Sequence, residues 1–271
     1  MNVDELVVLK LGGGLITEKS ELCTLKPDVI NKLAKLISKL TESGYRIILV
    51  HGAGSFGHLK AKKWHLHEGY IDGFKPNDND EFSNQIQVVE SVRNDMMLLN
   101  ERVVDSLQSF GIQTKSFPPH EWATGVGRNF TGNISIFENN DEYIPVTFGD
   151  VVNCNDETVF GILSGDDICY RIATEMGASH MIFAMGGAPG LMTKPPSMPD
   201  SKLIRIWSAG MEFDGEHVSN IDVTGGIYLK LDCAKLIALD VPNVWIVDGE
   251  HPTRILEAIL SGDTIGTKII T

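Results

Sequence analysis

Apolar residues fall in short blocks that end in glycine turns, and between the blocks run longer stripes at helical spacing. Leu6–Leu11 is a brief apolar, β-branched run that stops at Gly12, Gly13 and Gly14, the pattern of a buried strand feeding a tight turn. Pro27 and Asp28 suit the first turn of a helix, in which Val29, Leu33, Leu36, Ile37 and Leu40 share one face before Gly44 stops it. Arg46–Val50 is a second apolar strand, followed at once by HGAGSFGH at 51–58. After a polar stretch at 75–84, the segment 85–110 reads as a long helix with Val88, Val92, Met96, Leu99, Val103 and Leu107 on its core stripe. Short β-like segments alternate with Gly, Asn and Asp turns through 112–163, predicting a hairpin region. The rest predicts a helix opening at SGDD, a strand at MIFAM, an exposed excursion through KPP and SMPD, a turn and helix from IDVTGG, then strand, helix and strand. This alternation is the grammar of an α/β fold with an open, mainly parallel sheet sandwiched by helices. No linker composition interrupts it, so residues 1–271 are expected to form one domain around one continuous sheet. A boundary near 175–180 would divide two lobes of that domain.

Hydrophobic residues make up 42 % of the 271, enough for a sizeable core, and charges of both signs are mixed along the chain, which argues against wholesale disorder. A formal net charge of −13 disfavours nucleic acid and anionic membrane surfaces as partners, while leaving room for a small phosphate in a cleft of gathered lysines and backbone N–H groups. Cys23, Cys154, Cys169 and Cys233 are scattered without metal-ligand or CxxC spacing, as expected of reduced thiols in a cytoplasm. The apolar run near the start is too short and too acidic for a signal peptide, and no segment reaches the roughly 20 apolar residues of a membrane helix. A soluble cytoplasmic protein is expected.

The candidate chemistry sits at the turns. KLGGG, from Lys10 to Gly14, follows a strand directly, and glycines there let backbone N–H groups close on phosphate oxygens. It is neither a P-loop nor a dinucleotide GxGxxG. HGAGSFGH is a second such turn; His51 continues the strand and reads as structural, whereas His58 lies beyond the turn, where it can face the cleft. His65 and His67 read as surface residues on a polar helix. SGDD, from Ser164 to Asp167, carries an N-cap signal that would account for Asp167, and IDVTGG brings Lys230 toward a third turn. Two lysines and an aspartate among phosphate-cradling turns suit phosphoryl transfer, which needs mostly positioning and charge compensation.

Taken together, KLGG, HGxGSFGH, SGDD and IDVTGG with its lysine resemble the amino acid kinase superfamily, and within it the isopentenyl phosphate kinases; the matches spread from residue 6 to 270. The resemblance implies ATP-dependent phosphorylation of isopentenyl phosphate to the diphosphate, in isoprenoid biosynthesis, with Mg²⁺ bridging the nucleotide phosphates. It also implies a homodimer, an acceptor-binding lobe over 1–175 and a nucleotide-binding lobe over 176–271. By the same resemblance Lys10 and Lys230 grip the ATP phosphates, Asp166 holds both lysines, and Lys19 reaches the moving phosphoryl group. Gly12, Gly13, Gly14, Gly54 and Gly226 would surround the nucleotide phosphates, and His58 would bind the acceptor phosphate with backbone at Ala53 and Gly165. The early turns of the 85–110 helix, which carry Val89, Val92, Arg93 and Met96, follow His58 closely enough to wall the acceptor's tail; the apolar ones face either the core or the tail, with Met96 or Val92 the favoured floor residue. One departure concerns the nucleotide side: AMGGAPG at 184–190 stands where the family has an acidic TDVDG-type turn. Two alternatives stay open, a kinase for another small phosphate or phosphonate such as fosfomycin, and a non-catalytic nucleotide or metabolite sensor on the same fold.

Overall fold

The computed structural model describes residues 5–18, 21–138, 142–208, 211 and 226–271. The chain opens with β1 (Leu6–Leu11), a single-turn α1 (Gly13–Ile16), α2 (Pro27–Glu42), β2 (Arg46–His51) and α3 (Gly54–Lys63). The long helix α4 (Gln85–Ser109) starts where the Asn84 side chain accepts a hydrogen bond from the Gln87 backbone N–H at 3.0 Å. It leads to β3 (Thr114–Ser116), the short α5 (Pro119–Trp122), β4 (Ala123–Thr124) and β5 (Thr131–Gly132). Next come β6 (Ile144–Phe148), β7 (Asp150–Asn153), β8 (Phe160–Leu163), α6 (Gly165–Glu175) and β9 (His180–Met185). The chain closes with β10 (Ile206–Ser208), α7 (Gly226–Ile237), β11 (Asn243–Asp248), α8 (Thr253–Leu260) and β12 (Gly266–Ile270).

Eight strands form the main sheet in the order β10-β12-β11-β9-β1-β2-β6-β3, parallel throughout except where β12 runs against β11. The expected open α/β sheet is therefore present. The hairpin region is also there, as a second sheet in the order β5-β4-β7-β8 beside the first. Strand alternation sends successive side chains of β1 to opposite faces. Val7, Leu9 and Leu11 enter a core with residues of α2, α4 and α8, while Leu6 and Val8 enter another with residues of α6 and α7. Lys10 shares the face of Leu6 and Val8, so the same alternation that fills the core aims its ammonium at α6 and α7. His65 and His67 fall beyond the end of α3: His65 is half-buried in a left-handed conformation at φ 53°, and His67 is exposed on the short 3₁₀ turn Leu66–Glu68.

Candidate active site

β1 and β2 pair in register with Leu11 opposite His51, so the two glycine turns leave the sheet side by side. Gly12 N–H donates to Ala184 O at 2.8 Å and Gly52 N–H to Leu11 O at 2.9 Å, which fixes both turns to the strand ends. Their backbones then interlock: a Cβ on Gly13 would lie 2.2 Å from Gly54 N, and Gly54 itself has φ 51°. Only glycine fits either place.

The layer of α6 and α7 helps deliver the charges. Ser164 caps α6 by accepting from Asp166 N–H at 3.2 Å, which orients Asp166 in the first helical turn. Lys10 Nζ lies 2.5 Å from Asp166 Oδ1, and Lys230 Nζ, from α7, donates to the same oxygen at 2.9 Å. Burial alone would raise the Asp166 pKa, but the two ammoniums outweigh it and hold the carboxyl below its usual range. Lys230 is pulled below an ordinary lysine by burial and by the neighbouring Lys10 charge, against the attraction of Asp166. One carboxylate thus serves two ammoniums. The excess positive charge in this buried cluster suits an anion.

This cluster opens on a cavity of about 510 Å³, a size suited to small-molecule ligands. The first residues of α3, α6 and α7 all line it, adding the positive ends of three helices to the lysines. His58, on α3, lines the cavity as well, and one turn further Ala61 joins Val92 and Met96 of α4, Val151 of β7 and Ile162 of β8 in an apolar wall. Among the described residues, two carboxylates border the space, and both are engaged. Asp166 holds the lysines, while Asp150 accepts from Val151 N–H at 2.8 Å and pairs with His120 Nδ1 at 2.6 Å. Among the described residues no group of three or more His, Cys, Asp or Glu side chains is arranged to hold a metal ion.

Comparison with known proteins decides the family, because the family model described as "Amino acid kinase family" matches residues 5–248. The chain belongs to the amino acid kinase family. Among its relatives is the isopentenyl phosphate kinase of Thermoplasma acidophilum, 31 % identical, with 92 % of this chain and 94 % of that protein covered. Another is the isopentenyl phosphate kinase of Methanocaldococcus jannaschii, 29 % identical over 97 % of this chain and 98 % of that one. A solved structure titled "X-ray structures of isopentenyl phosphate kinase" superimposes with a TM-score of 0.80 at 26 % identity, covering 97 % of this chain and 99 % of the other. The likeness drawn from the motifs is thus borne out over nearly the whole chain.

In this amino acid kinase family member, Lys10, Asp166 and Lys230 come together from three separate elements. Gly12, Gly13, Gly14, Gly54, Gly226, Ala53, Gly165 and His58 all border the one cavity. Lys19 and most of IDVTGG (221–225) lie outside the described residues. His51 is fully buried, with Nε2 3.3 Å from Asn100 Oδ1, and burial pushes its pKa down to about 4, so it is a neutral structural residue. Of the α4 residues Val89, Val92, Arg93 and Met96, Val92 and Met96 line the cavity. Arg93 instead turns to β7 and donates to Val151 O at 2.8 Å. The KPP segment is not wholly an exposed excursion, since Pro195 and Pro196 return to line the cavity beside Met185 and Gly186. Sequence reasoning missed this return because no local pattern tells where a loop tip lands. It also missed Thr17, whose hydroxyl spans the two glycine turns and whose only signal was its place between the first turn and Lys19.

Proposed function

We propose that this protein transfers the γ-phosphoryl group of ATP to isopentenyl phosphate, forming isopentenyl diphosphate and ADP. The observation that carries the reading is a single cavity with a lysine-rich, glycine-walled part continuous with an apolar wall at Ala61, Val92 and Met96, with His58 among its lining residues. A phosphate on a short hydrocarbon matches that division, and the relatives named above bear the corresponding name. In this reading Lys10 and Lys230 grip the nucleotide phosphates and stabilise the charge that spreads over the moving group, with Asp166 holding both. Lys19 reaches the transferred phosphoryl. His58 donates to the acceptor phosphate, aided by backbone at Ala53 and Gly165. The attacking phosphate oxygen is already anionic near neutral pH, so no general base is needed. The lysines and glycine turns would position the nucleotide phosphates for an accompanying Mg²⁺ ion, which would supply further charge compensation.

The division into an acceptor side (1–175) and a nucleotide side (176–271) belongs to the same proposal; the meeting of Lys10 and Asp166 with Lys230 across that seam supports it. A homodimer and a cytoplasmic setting belong to the same proposal, and light scattering tests the first. The decisive experiment is ADP release measured over isopentenyl phosphate, dimethylallyl phosphate, geranyl phosphate and fosfomycin. Turnover should be fastest with the five-carbon phosphates. Preference for fosfomycin would replace the acceptor, and nucleotide binding without turnover on any of the four would point to a sensor.

A further inference from the structure

Thr17 ends α1 and is fully buried, and it does not line the cavity. Its hydroxyl donates to Gly13 O at 2.9 Å and accepts from Ser55 N–H at 3.0 Å, so one oxygen joins the first glycine turn to the second. It also occupies the space beside Gly54, where an added Cβ would come within 2.0 Å of it. Ser55 continues the clasp, since its hydroxyl oxygen accepts from Thr24 N–H at 3.3 Å and its carbonyl from Cys23 N–H at 3.4 Å. The chain leaving the first turn is thereby tied to the second at its start and on its return.

We propose that the Thr17 hydroxyl is a positioning group for phosphoryl transfer, setting the spacing between the turn that follows Lys10 and the turn that precedes His58. This rests on the kinase reading above. Lys10 sits directly before the first turn and His58 four residues after Gly54, so a shift of one turn against the other changes the separation of the groups gripping donor and acceptor. Rate is steeply sensitive to such misplacement, which at about 1 Å can cost on the order of 100-fold. Binding, spread over many contacts to each substrate, is less sensitive.

The test compares Thr17→Val, which keeps the shape and leaves the Ser55 N–H without an acceptor, with Thr17→Ser, which keeps the hydroxyl. With ATP and isopentenyl phosphate, Thr17→Val should lose roughly 10- to 100-fold in kcat while KM for each substrate stays within about 3-fold. Thr17→Ser should return to within about 3-fold of wild type in kcat. A Thr17→Val enzyme with near wild-type kcat, or a serine variant as slow as the valine one, overturns the proposal. So does a loss carried by KM alone. Should the valine variant not fold, Thr17→Cys, a much weaker donor and acceptor, takes its place, and a kcat equal to that of the serine variant overturns it. A wild-type protein that turns over no acceptor removes the kinase reading itself, an outcome distinct from an unaffected Thr17 variant.

Discussion

A buried ammonium is tolerated only with a counter-charge, and Lys10 and Lys230 have one carboxylate oxygen between them. Burial and the Lys10 charge weigh against the Lys230 ammonium, so neutralising Lys230 eases the crowding in the resting protein while removing charge that the moving phosphoryl group needs. Lys230→Met is accordingly expected to keep the melting temperature within a few degrees of wild type and to lower kcat by 100-fold or more, in the range of lost transition-state donors. Steady-state kinetics beside a thermal melt separates the two effects; wild-type kcat would take Lys230 out of the transfer step. His58 differs, being half-buried on α3 and not in the lysine cluster. His58→Ala should lose on the order of 100-fold in kcat, and His58→Gln should retain part of it through its amide donor. Alanine and glutamine variants with equal, near-normal turnover would remove His58 from the acceptor site.

Elements were legible where one period dominated. The helical stripe from Val88 to Leu107 specified α4, and the apolar runs at Leu6–Leu11 and Arg46–Val50 specified two central strands to within a residue. The three-residue β3 and two-residue β4 and β5 were legible only as a hairpin-rich region, because so few residues carry no period of their own and tertiary pairing decides them. The α4 stripe has a double use that periodicity could not show. Val92 and Met96 are core residues at 2 % and 0 % exposure, yet both also border the cavity. If they limit the acceptor's tail, Met96→Ala should raise kcat/KM on geranyl phosphate relative to isopentenyl phosphate by 10-fold or more. Each newly buried CH₂ contributes about 0.8 kcal/mol, so a five-carbon extension supplies ample energy even after truncation weakens packing. A uniform loss over all chain lengths with a lowered melting temperature would assign Met96 to the core alone.

At the scale of the molecule, the sequence motifs could name the lysines and glycine turns but not their meeting, which depends on β1 lying between β2 and β9 and on α7 crossing to α6. The same convergence buries titratable groups that the motif reading took as purely structural, although the N-cap of α6 is Ser164 and not Asp167. Asp167, beside Asp166 on α6 and within 3.7 Å of the Cys233 thiol on α7, has its pKa raised to about 6 by burial and by the Asp166 charge. The folded state therefore holds a proton on Asp167 that the unfolded chain releases near pH 4, so this residue costs stability above about pH 6 and that cost disappears as the pH falls toward 4. His51 acts in the opposite sense: buried and neutral down to about pH 4, it withdraws stability as the pH falls below the ordinary histidine value, where the unfolded chain binds the proton. The two slopes offset one another across the same window. Asp167→Asn removes one of them while keeping an oxygen to accept from Cys233, and it should stabilise the protein at pH 7 by about 1–2 kcal/mol, after allowing for solvent screening. That gain should shrink toward zero near pH 4, leaving the variant with a steeper acid loss than wild type. Chemical denaturation at pH 4, 5, 6 and 7 reads the difference directly. A variant less stable than wild type by the same amount at every pH would mean that the Asp167 carboxylate is paired rather than penalised, and the offset between the two groups would not exist.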